Sequence, residues 1–112
     1  VRVIDHKAFL CLKYTKNKVR DEYEYEIPLI DALEILSKCK DKLEKIRTTL
    51  FPHNGDYVVD VDKYPNGLTV AEVEFKTQEA CDSFKPIDWF GPEITGVKEY
   101  SNITLAKQKL HF

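Results

Sequence analysis

The chain has 112 residues, of which 32% are charged and 43% are hydrophobic, and its formal net charge is −2. A chain of this length is expected to form one domain, residues 1–112, around a modest hydrophobic core. Because nucleic acids and anionic membranes are bound through a surplus of basic residues, the nearly balanced charge argues against either kind of partner.

Three cysteines, at positions 11, 39 and 81, are far apart and odd in number. This arrangement favours a reduced, cytoplasmic protein in which each cysteine packs as a small hydrophobic residue. No apolar run has the length of a membrane span, and the sequence has no signal peptide pattern. Since the chain starts at Val1 and contains no methionine, we expect it to be a piece of a longer protein.

Alternating side chains predict three strands in the first quarter of the chain. Residues 1–5 and 8–14 are rich in β-forming residues, and the short break between them predicts a tight hairpin. Residues 20–27 alternate strictly: one face carries Arg20, Glu22, Glu24 and Glu26, and the other carries Asp21, Tyr23, Tyr25 and Ile27. Pro28 ends this strand because it lacks the N–H that a ladder hydrogen bond needs.

A helix is predicted after this strand, because apolar residues keep a 3.6-residue period from Leu29 onward. Asp31 and Glu34 resemble a capping box at its start. The helix is expected to end near Leu43, where the sequence becomes strand-like.

The rest of the chain predicts three more strands and two short helices. The strands are expected over 45–51, 57–62 and 68–76, with turn signals between them. Thr77 is expected to cap a short helix that runs through position 84, and the second short helix is predicted near Leu105.

Charged residues gather on one face of the predicted strands. Glu72 and Glu74 are two apart, so both carboxylates leave the same face, whereas Val73 and Phe75 leave the other. Two helices are available to cover the apolar faces, so the charged faces would line the polar lumen of a closed antiparallel barrel. The alternative is a half-exposed sheet whose charged faces meet solvent.

The ordered set of motifs resembles one superfamily over nearly the whole chain. The matching stretches are VRV, AFLCLK, RDEYEYEIP, KIR, VVDV, GLTVAEVEF, DWFGPEITG and YSNITLAK. Together they resemble the CYTH superfamily, also called triphosphate tunnel metalloenzymes. This superfamily includes class IV adenylate cyclases, thiamine triphosphatases and inorganic tripolyphosphatases.

The resemblance implies an α+β fold, a closed eight-stranded antiparallel barrel with helices packed outside, and a tunnel that holds a triphosphate with Mg²⁺ or Mn²⁺. The strand with two glutamates and a lysine that opens the family's barrel has no counterpart in this chain, and Ile4 occupies the place of an arginine. The positions that match phosphate-binding cations are Arg2, Lys13, Arg20, Lys45, Arg47 and Lys107. The positions that match metal ligands are Asp60, Glu72 and Glu74, with Glu22 and Glu24 as helpers.

The function implied by the resemblance is metal-dependent hydrolysis of a triphosphate, either inorganic tripolyphosphate or a nucleoside or thiamine triphosphate. The attacking group would be a water activated by the metal, so no side-chain nucleophile is named. Two alternatives stay open: an adenylate cyclase of the same fold, and a non-catalytic module that binds a polyphosphate, a nucleotide or a protein. The expected partner is a triphosphate-containing small molecule, bound by a monomer or a homodimer.

Overall fold

A computed structural model describes residues 1–16, 19–53, 55–108 and 112, except for the side chains at positions 19 and 20. The chain divides into two compact units, Val1–Lys40 and Asp41–Phe112, here called unit 1 and unit 2. Both units combine antiparallel strands with helices, so the α+β class predicted from the sequence is confirmed. No helix in the described part of the chain is long and apolar enough to cross a membrane.

Unit 1 is a three-stranded antiparallel sheet with one helix. Its strands are β1 (Arg2–Ile4), β2 (Lys7–Lys16) and β3 (Val19–Ile27), in the order β1-β2-β3. Asp5, in the turn between β1 and β2, has a φ of 54°, a left-handed conformation that aspartate tolerates better than most residues. The hairpin predicted from the sequence is confirmed, and β2 pairs with β3 from Ala8 to Lys16.

The helix of unit 1, α1 (Leu29–Lys38), is shorter than predicted. Pro28 is its N-cap and no side chain caps the first turn, so the predicted capping box is wrong. A proline at this position leaves the carboxylate of Asp31 to act only through its charge, near the positive end of the helix dipole. Cys39 is already extended, with φ −79° and ψ 132°. The apolar period continues to Leu43 in sequence, but the helical hydrogen bonds end before it because the chain straightens ahead of the next strand.

Unit 2 is built on a second three-stranded antiparallel sheet. Its strands are β4 (Ile46–Leu50), β5 (Tyr57–Lys63) and β6 (Thr69–Phe75), with β5 in the centre. The helices α2 (Gln78–Ser83) and α3 (Asn102–Lys107) follow, with a 3₁₀ turn at Lys98–Tyr100 between them. The side chain of Thr77 accepts a hydrogen bond from the N–H of Ala80, which confirms the predicted cap.

The two faces of this second sheet differ in character. Val59 is almost fully buried on one face, and the rings of Tyr57 and Phe75 both pack edge-on against Phe84, with centroids 5.1 and 5.2 Å away. The opposite face carries the charged residues. Because β5 is paired on both sides, its alternation separates an apolar face from a charged one, as the sequence predicts.

The closed barrel stays a prediction. In the part of the chain that the structure describes, six strands form two separate three-stranded sheets, and no ladder of backbone hydrogen bonds closes them into a ring. The single domain spanning residues 1–112 likewise stays a prediction.

Candidate functional site

The charged face of the unit 2 sheet is set by the register of its strands. Arg47 of β4 lies opposite Asp62 of β5, and Thr49 lies opposite Asp60. On the other side of β5, Asp60 lies opposite Glu72 of β6. Directly opposed residues of an antiparallel pair project from the same face. Cations, carboxylates and a hydroxyl therefore meet on one surface, here called the charged face, which consists of Lys45, Arg47, Thr49, Asp60, Asp62, Glu72 and Glu74.

Asp62 is the most buried member of the charged face. Its Oδ1 accepts a hydrogen bond from Nε of Arg47 at 2.7 Å. Its Oδ2 accepts two more, from Nη2 of Arg47 at 2.9 Å and from Nζ of Lys45 at 2.9 Å. Burial by itself would raise the pKa of the Asp62 carboxyl, but the hydrogen bonds from the two cations outweigh it and the pKa is lowered. Asp62 is therefore ionised at neutral pH.

Arg47 is surrounded by three carboxylates. Besides its bonds to Asp62, its Nη1 lies 3.6 Å from Oδ2 of Asp60 and its Nη2 lies 3.7 Å from Oε2 of Glu72. These two are ion pairs too long to be good hydrogen bonds. The hydrogen bonds to Asp62 raise the pKa of the Arg47 guanidinium, against the lowering caused by burial. Arg47 is consequently a permanent cation at the centre of the charged face.

Tyr64 joins the charged face to α3. It follows β5, is almost fully buried, and its hydroxyl lies 3.2 Å from Oδ1 of Asn102, the first residue of α3. The ammonium of Lys45 lies 6.0 Å from the centre of the Tyr64 ring, at the edge of cation–π range. Burial, followed by the nearby charge of Asp62, raises the pKa of Tyr64. Tyr64 therefore stays neutral at neutral pH.

The carboxylates of the charged face supply oxygen ligands, which are the type that a hard divalent cation prefers. Asp60 is buried and its Oδ1 accepts a hydrogen bond from the hydroxyl of Thr49 at 2.7 Å. Glu72 lies opposite Asp60, with a largely exposed side chain, and Glu74 follows two residues later on the same face. No three acidic, histidine or cysteine side chains in the described ranges converge closely enough to form a metal cage. Mg²⁺ commonly uses only one or two protein carboxylates, with water and substrate phosphates as its other ligands, and the donors present fit that mode.

Unit 1 carries a second charged surface, on the sheet face that includes Arg2, Cys11, Lys13, Glu22 and Glu24. Nη2 of Arg2 donates a hydrogen bond to Oε2 of Glu24 at 2.9 Å. In the β2–β3 ladder, Cys11 lies opposite Glu24 and Lys13 lies opposite Glu22. These residues line an open, mostly polar depression of about 250 Å³. Unit 1 therefore brings together two of the predicted phosphate-binding cations and both predicted helper glutamates.

Two predicted phosphate-binding residues are not placed in either group. The backbone of Arg20 lies in β3 opposite Thr15, but its side chain lies outside the described part of the structure. Lys107 is the last residue of α3 and is exposed, and it has no ion pair with another described residue. Their roles stay predictions.

Three residues of the unit 2 site are not among those predicted from the sequence: Asp62, Thr49 and Tyr64. Asp62 carried a usable signal, because it is two residues after Asp60 in the run YVVDVDK and must share its face in a strand. Thr49 is likewise two residues after Arg47. Tyr64 follows the end of the strand, and nothing in the sequence pattern distinguishes it from a turn residue.

Comparison with known proteins identifies close relatives. The chain is 40% identical over 113 residues to an inorganic triphosphatase of Acetivibrio thermocellus. The aligned region covers 96% of the chain and 70% of that protein. It is also 33% identical over 102 residues to an inorganic triphosphatase of Nitrosomonas europaea. That aligned region covers 88% of the chain and 67% of the second protein. No family model matches the chain.

A solved structure supports the same relationship. The crystal structure of an inorganic triphosphatase superposes on 90% of the chain with a TM-score of 0.63 and 28% sequence identity. The matched region is 66% of that solved chain, so the protein described here spans slightly less than two thirds of its length.

Proposed function

Since this chain belongs to the CYTH superfamily of triphosphate tunnel metalloenzymes, alongside these inorganic triphosphatases, we propose that it hydrolyses triphosphates with the help of Mg²⁺ or Mn²⁺. The observation that carries the proposal is the similarity to two inorganic triphosphatases over at least 88% of the chain. The preferred substrate is accordingly inorganic tripolyphosphate, with nucleoside and thiamine triphosphates as further candidates.

The cations of both units are proposed to hold the phosphate oxygens. Arginine forks bind such oxygens in pairs, and lysine acts as a point charge. Lys45 and Arg47 would serve in unit 2, and Arg2 with Lys13 would serve in unit 1. Arg20 and Lys107 are proposed for the same role from the superfamily motifs. In the closed barrel that the superfamily resemblance implies, such cations line the lumen.

Asp60 and Glu72 are proposed as the main metal ligands, with Glu74 next to them and Glu22 and Glu24 as helpers. Thr49 donates a hydrogen bond to Oδ1 of Asp60, and Oδ2 of Asp60, which lies 3.6 Å from Nη1 of Arg47, is proposed as the oxygen that binds the metal. A bound Mg²⁺ or Mn²⁺ would neutralise negative charge on the substrate and lower the pKa of a water. Lys45 and Arg47 would orient the terminal phosphate against that water, so the protein contributes mainly position and electrostatic stabilisation.

The test is phosphate release from tripolyphosphate by the purified protein in the presence of Mg²⁺ or Mn²⁺, with EDTA as the metal-free control. We expect release that depends on the metal. ATP is assayed in parallel for both phosphate and cyclic AMP, because cyclic AMP alone would assign the protein to the cyclases. Tripolyphosphate that binds without being hydrolysed would identify a non-catalytic module and overturn the proposal.

A matched pair of lysine variants locates the activity on the charged face. Lys45→Gln removes a cation of the charged face, whereas Lys63→Gln removes an exposed lysine from the opposite face of the same sheet. A charge-assisted hydrogen bond contributes about 1.5–3 kcal/mol, so we expect Lys45→Gln to lower kcat/KM by roughly tenfold or more. Lys63→Gln should leave it unchanged. Equal effects of the two variants would place the active site elsewhere.

A further inference from the structure

Asp62 lies beneath the cations of the charged face and not beside them. Its side chain is 3% exposed, whereas that of Lys45 is 23% exposed and that of Arg47 is 34% exposed. An anion that approaches from solvent therefore meets the two cations first, and the Asp62 carboxylate is out of its reach. This ordering in depth separates Asp62 from the other carboxylates of the charged face, of which Glu72 is 60% exposed.

The hydrogen bonds of Asp62 use only part of the donor capacity of the two cations. Arginine has five N–H donors and lysine has three. Asp62 accepts one hydrogen bond from Nε of Arg47, one from its Nη2 and one from the ammonium of Lys45. Asp62 leaves three donors of the guanidinium and two of the ammonium unused, and these are called the outer donors. They include both N–H groups of Nη1, which lies 3.6 Å from Oδ2 of Asp60, and one of Nη2, which lies 3.7 Å from Oε2 of Glu72.

Oδ2 of Asp62 also holds the two cations together. This oxygen accepts one hydrogen bond from Nζ of Lys45 and one from Nη2 of Arg47, each at 2.9 Å. Two like charges that share one oxygen would repel each other without the negative charge between them. A neutral residue at position 62 would consequently free both side chains to separate, at the cost of the geometry that a bidentate phosphate contact requires.

We propose that Asp62 is a positioning residue for triphosphate hydrolysis: it fixes Lys45 and Arg47 by their inner donors, so that the outer donors of both face the phosphate oxygens. This inference rests on the proposed function. The competing role is that of an internal anion, which occupies the cations and must be displaced before a phosphate binds. The two roles predict opposite results, because a positioning residue stays bonded to Arg47 when the substrate is present and an internal anion does not.

The kinetic test compares Asp62→Asn with Asp82→Asn. Asp82 is an exposed residue of α2 whose Oδ1 accepts a hydrogen bond from Gln78, and asparagine keeps that acceptor, so this variant controls for the loss of one negative charge. Because misplaced binding groups impair the transition state more than the ground state, we expect Asp62→Asn to lower kcat for tripolyphosphate by about tenfold or more, with KM changed by less than about threefold. Asp82→Asn should have wild-type kinetics.

Two kinetic results would overturn the proposal. A lower KM with kcat unchanged or raised would show that Asp62 competes with the substrate. Unchanged kcat and KM, measured below the unfolding temperature, would show that Asp62 serves only stability.

A second measurement uses the wild-type protein and does not depend on the folding of a variant. The Nε–H signal of Arg47 is followed by ¹H–¹⁵N NMR while tripolyphosphate is added in EDTA, so that no turnover occurs. We expect signals of the outer guanidinium donors to shift and the Nε–H signal to keep its position, because Asp62 retains that donor. Displacement of the Nε–H signal at saturation would overturn the positioning role.

The same experiments separate failure of this inference from failure of the proposed function. A wild-type protein that hydrolyses tripolyphosphate while Asp62→Asn is equally active refutes only the role of Asp62. A wild-type protein that neither hydrolyses nor binds tripolyphosphate, with or without metal, refutes both.

Discussion

At the level of single residues, the carboxylate that organises the charged face is Asp62, a residue without a place among the superfamily motifs. Its face could be predicted, because alternation along β5 puts it on the same side as Asp60. Its partners could not, because they depend on the register in which Arg47 lies opposite Asp62. Register joins residues that are distant in sequence, and a local pattern on one strand does not contain it.

Because the pKa of Asp62 is lowered in the folded protein, the free energy of unfolding is expected to fall in acid. The ordinary pKa of this carboxyl is 3.8 and the folded value lies below it, so the folded state binds fewer protons than the unfolded state between the two values. The stabilisation by Asp62 is therefore complete above the ordinary pKa and is lost as the pH falls through the lowered one.

We expect the free energy of unfolding, measured with urea between pH 6 and pH 2.5, to fall more steeply toward acid for the wild type than for Asp62→Asn. Asp62→Asn removes the titrating carboxyl that Lys45 and Arg47 bind, so the difference between the two curves measures how much this carboxyl and its contacts contribute. Asp82→Asn serves as the control and should follow the wild type. Parallel curves for the wild type and Asp62→Asn would show that the carboxyl has the same pKa in both states.

At the level of elements, strand alternation was the reliable signal and helix boundaries were not. All six strands were predicted within a few residues of their bounds, because a charged face and an apolar face impose a period of two. The end of α1 was wrong because Cys39 and Leu43 continue the helical period in sequence, although the chain is already extended at Cys39. Periodicity reports which side chains would share a face of a helix, whereas hydrogen bonding decides where the helix ends.

The alternation of β4 offers a direct test, because its two adjacent threonines project to opposite faces. Thr49 donates a hydrogen bond to the buried carboxylate of Asp60, whereas Thr48 lies opposite Val61 on the apolar face. Thr49→Val leaves one oxygen of Asp60 without this donor, and we expect a loss of about 1 kcal/mol in the free energy of unfolding. Thr48→Val makes the same chemical change without that loss, and it should stay within about 0.5 kcal/mol of the wild type. Thermal or urea unfolding of the pair measures both, and equal losses would contradict the assignment of faces.

At the level of the whole molecule, the sequence predicts a single domain and the structure resolves two compact units. Alternation assigns each strand a polar and an apolar face, and adjacent hairpins follow from short turns. Pairing between strands that are far apart in sequence does not follow from either, since it depends on loop closure and packing over the whole chain. The closed barrel is therefore the part of the prediction that rests most heavily on resemblance.

Unit 1 provides the argument that the chain nevertheless unfolds as one. Among its described residues, the almost fully buried hydrophobic side chains are two alanines, Ala8 and Ala32. A unit of 40 residues is close to the size below which a domain needs disulfides, metals or association to be stable, and its cysteines are free. Apart from these two methyl groups, its described apolar side chains are at most half-buried, as Val3, Phe9 and Leu36 are, and this is too little apolar surface to offset the conformational entropy of folding such a unit by itself.

We therefore expect one cooperative unfolding transition in urea. The single tryptophan, Trp89, reports unit 2 by its fluorescence, and the amide NMR signals of β2 and β3 report unit 1. Both probes should give the same midpoint within error, because unit 1 by itself buries too little apolar surface to remain folded after unit 2 has unfolded. If the signals of β2 and β3 disappear at a lower urea concentration than the tryptophan transition, the two units fold separately and the prediction of a single domain fails.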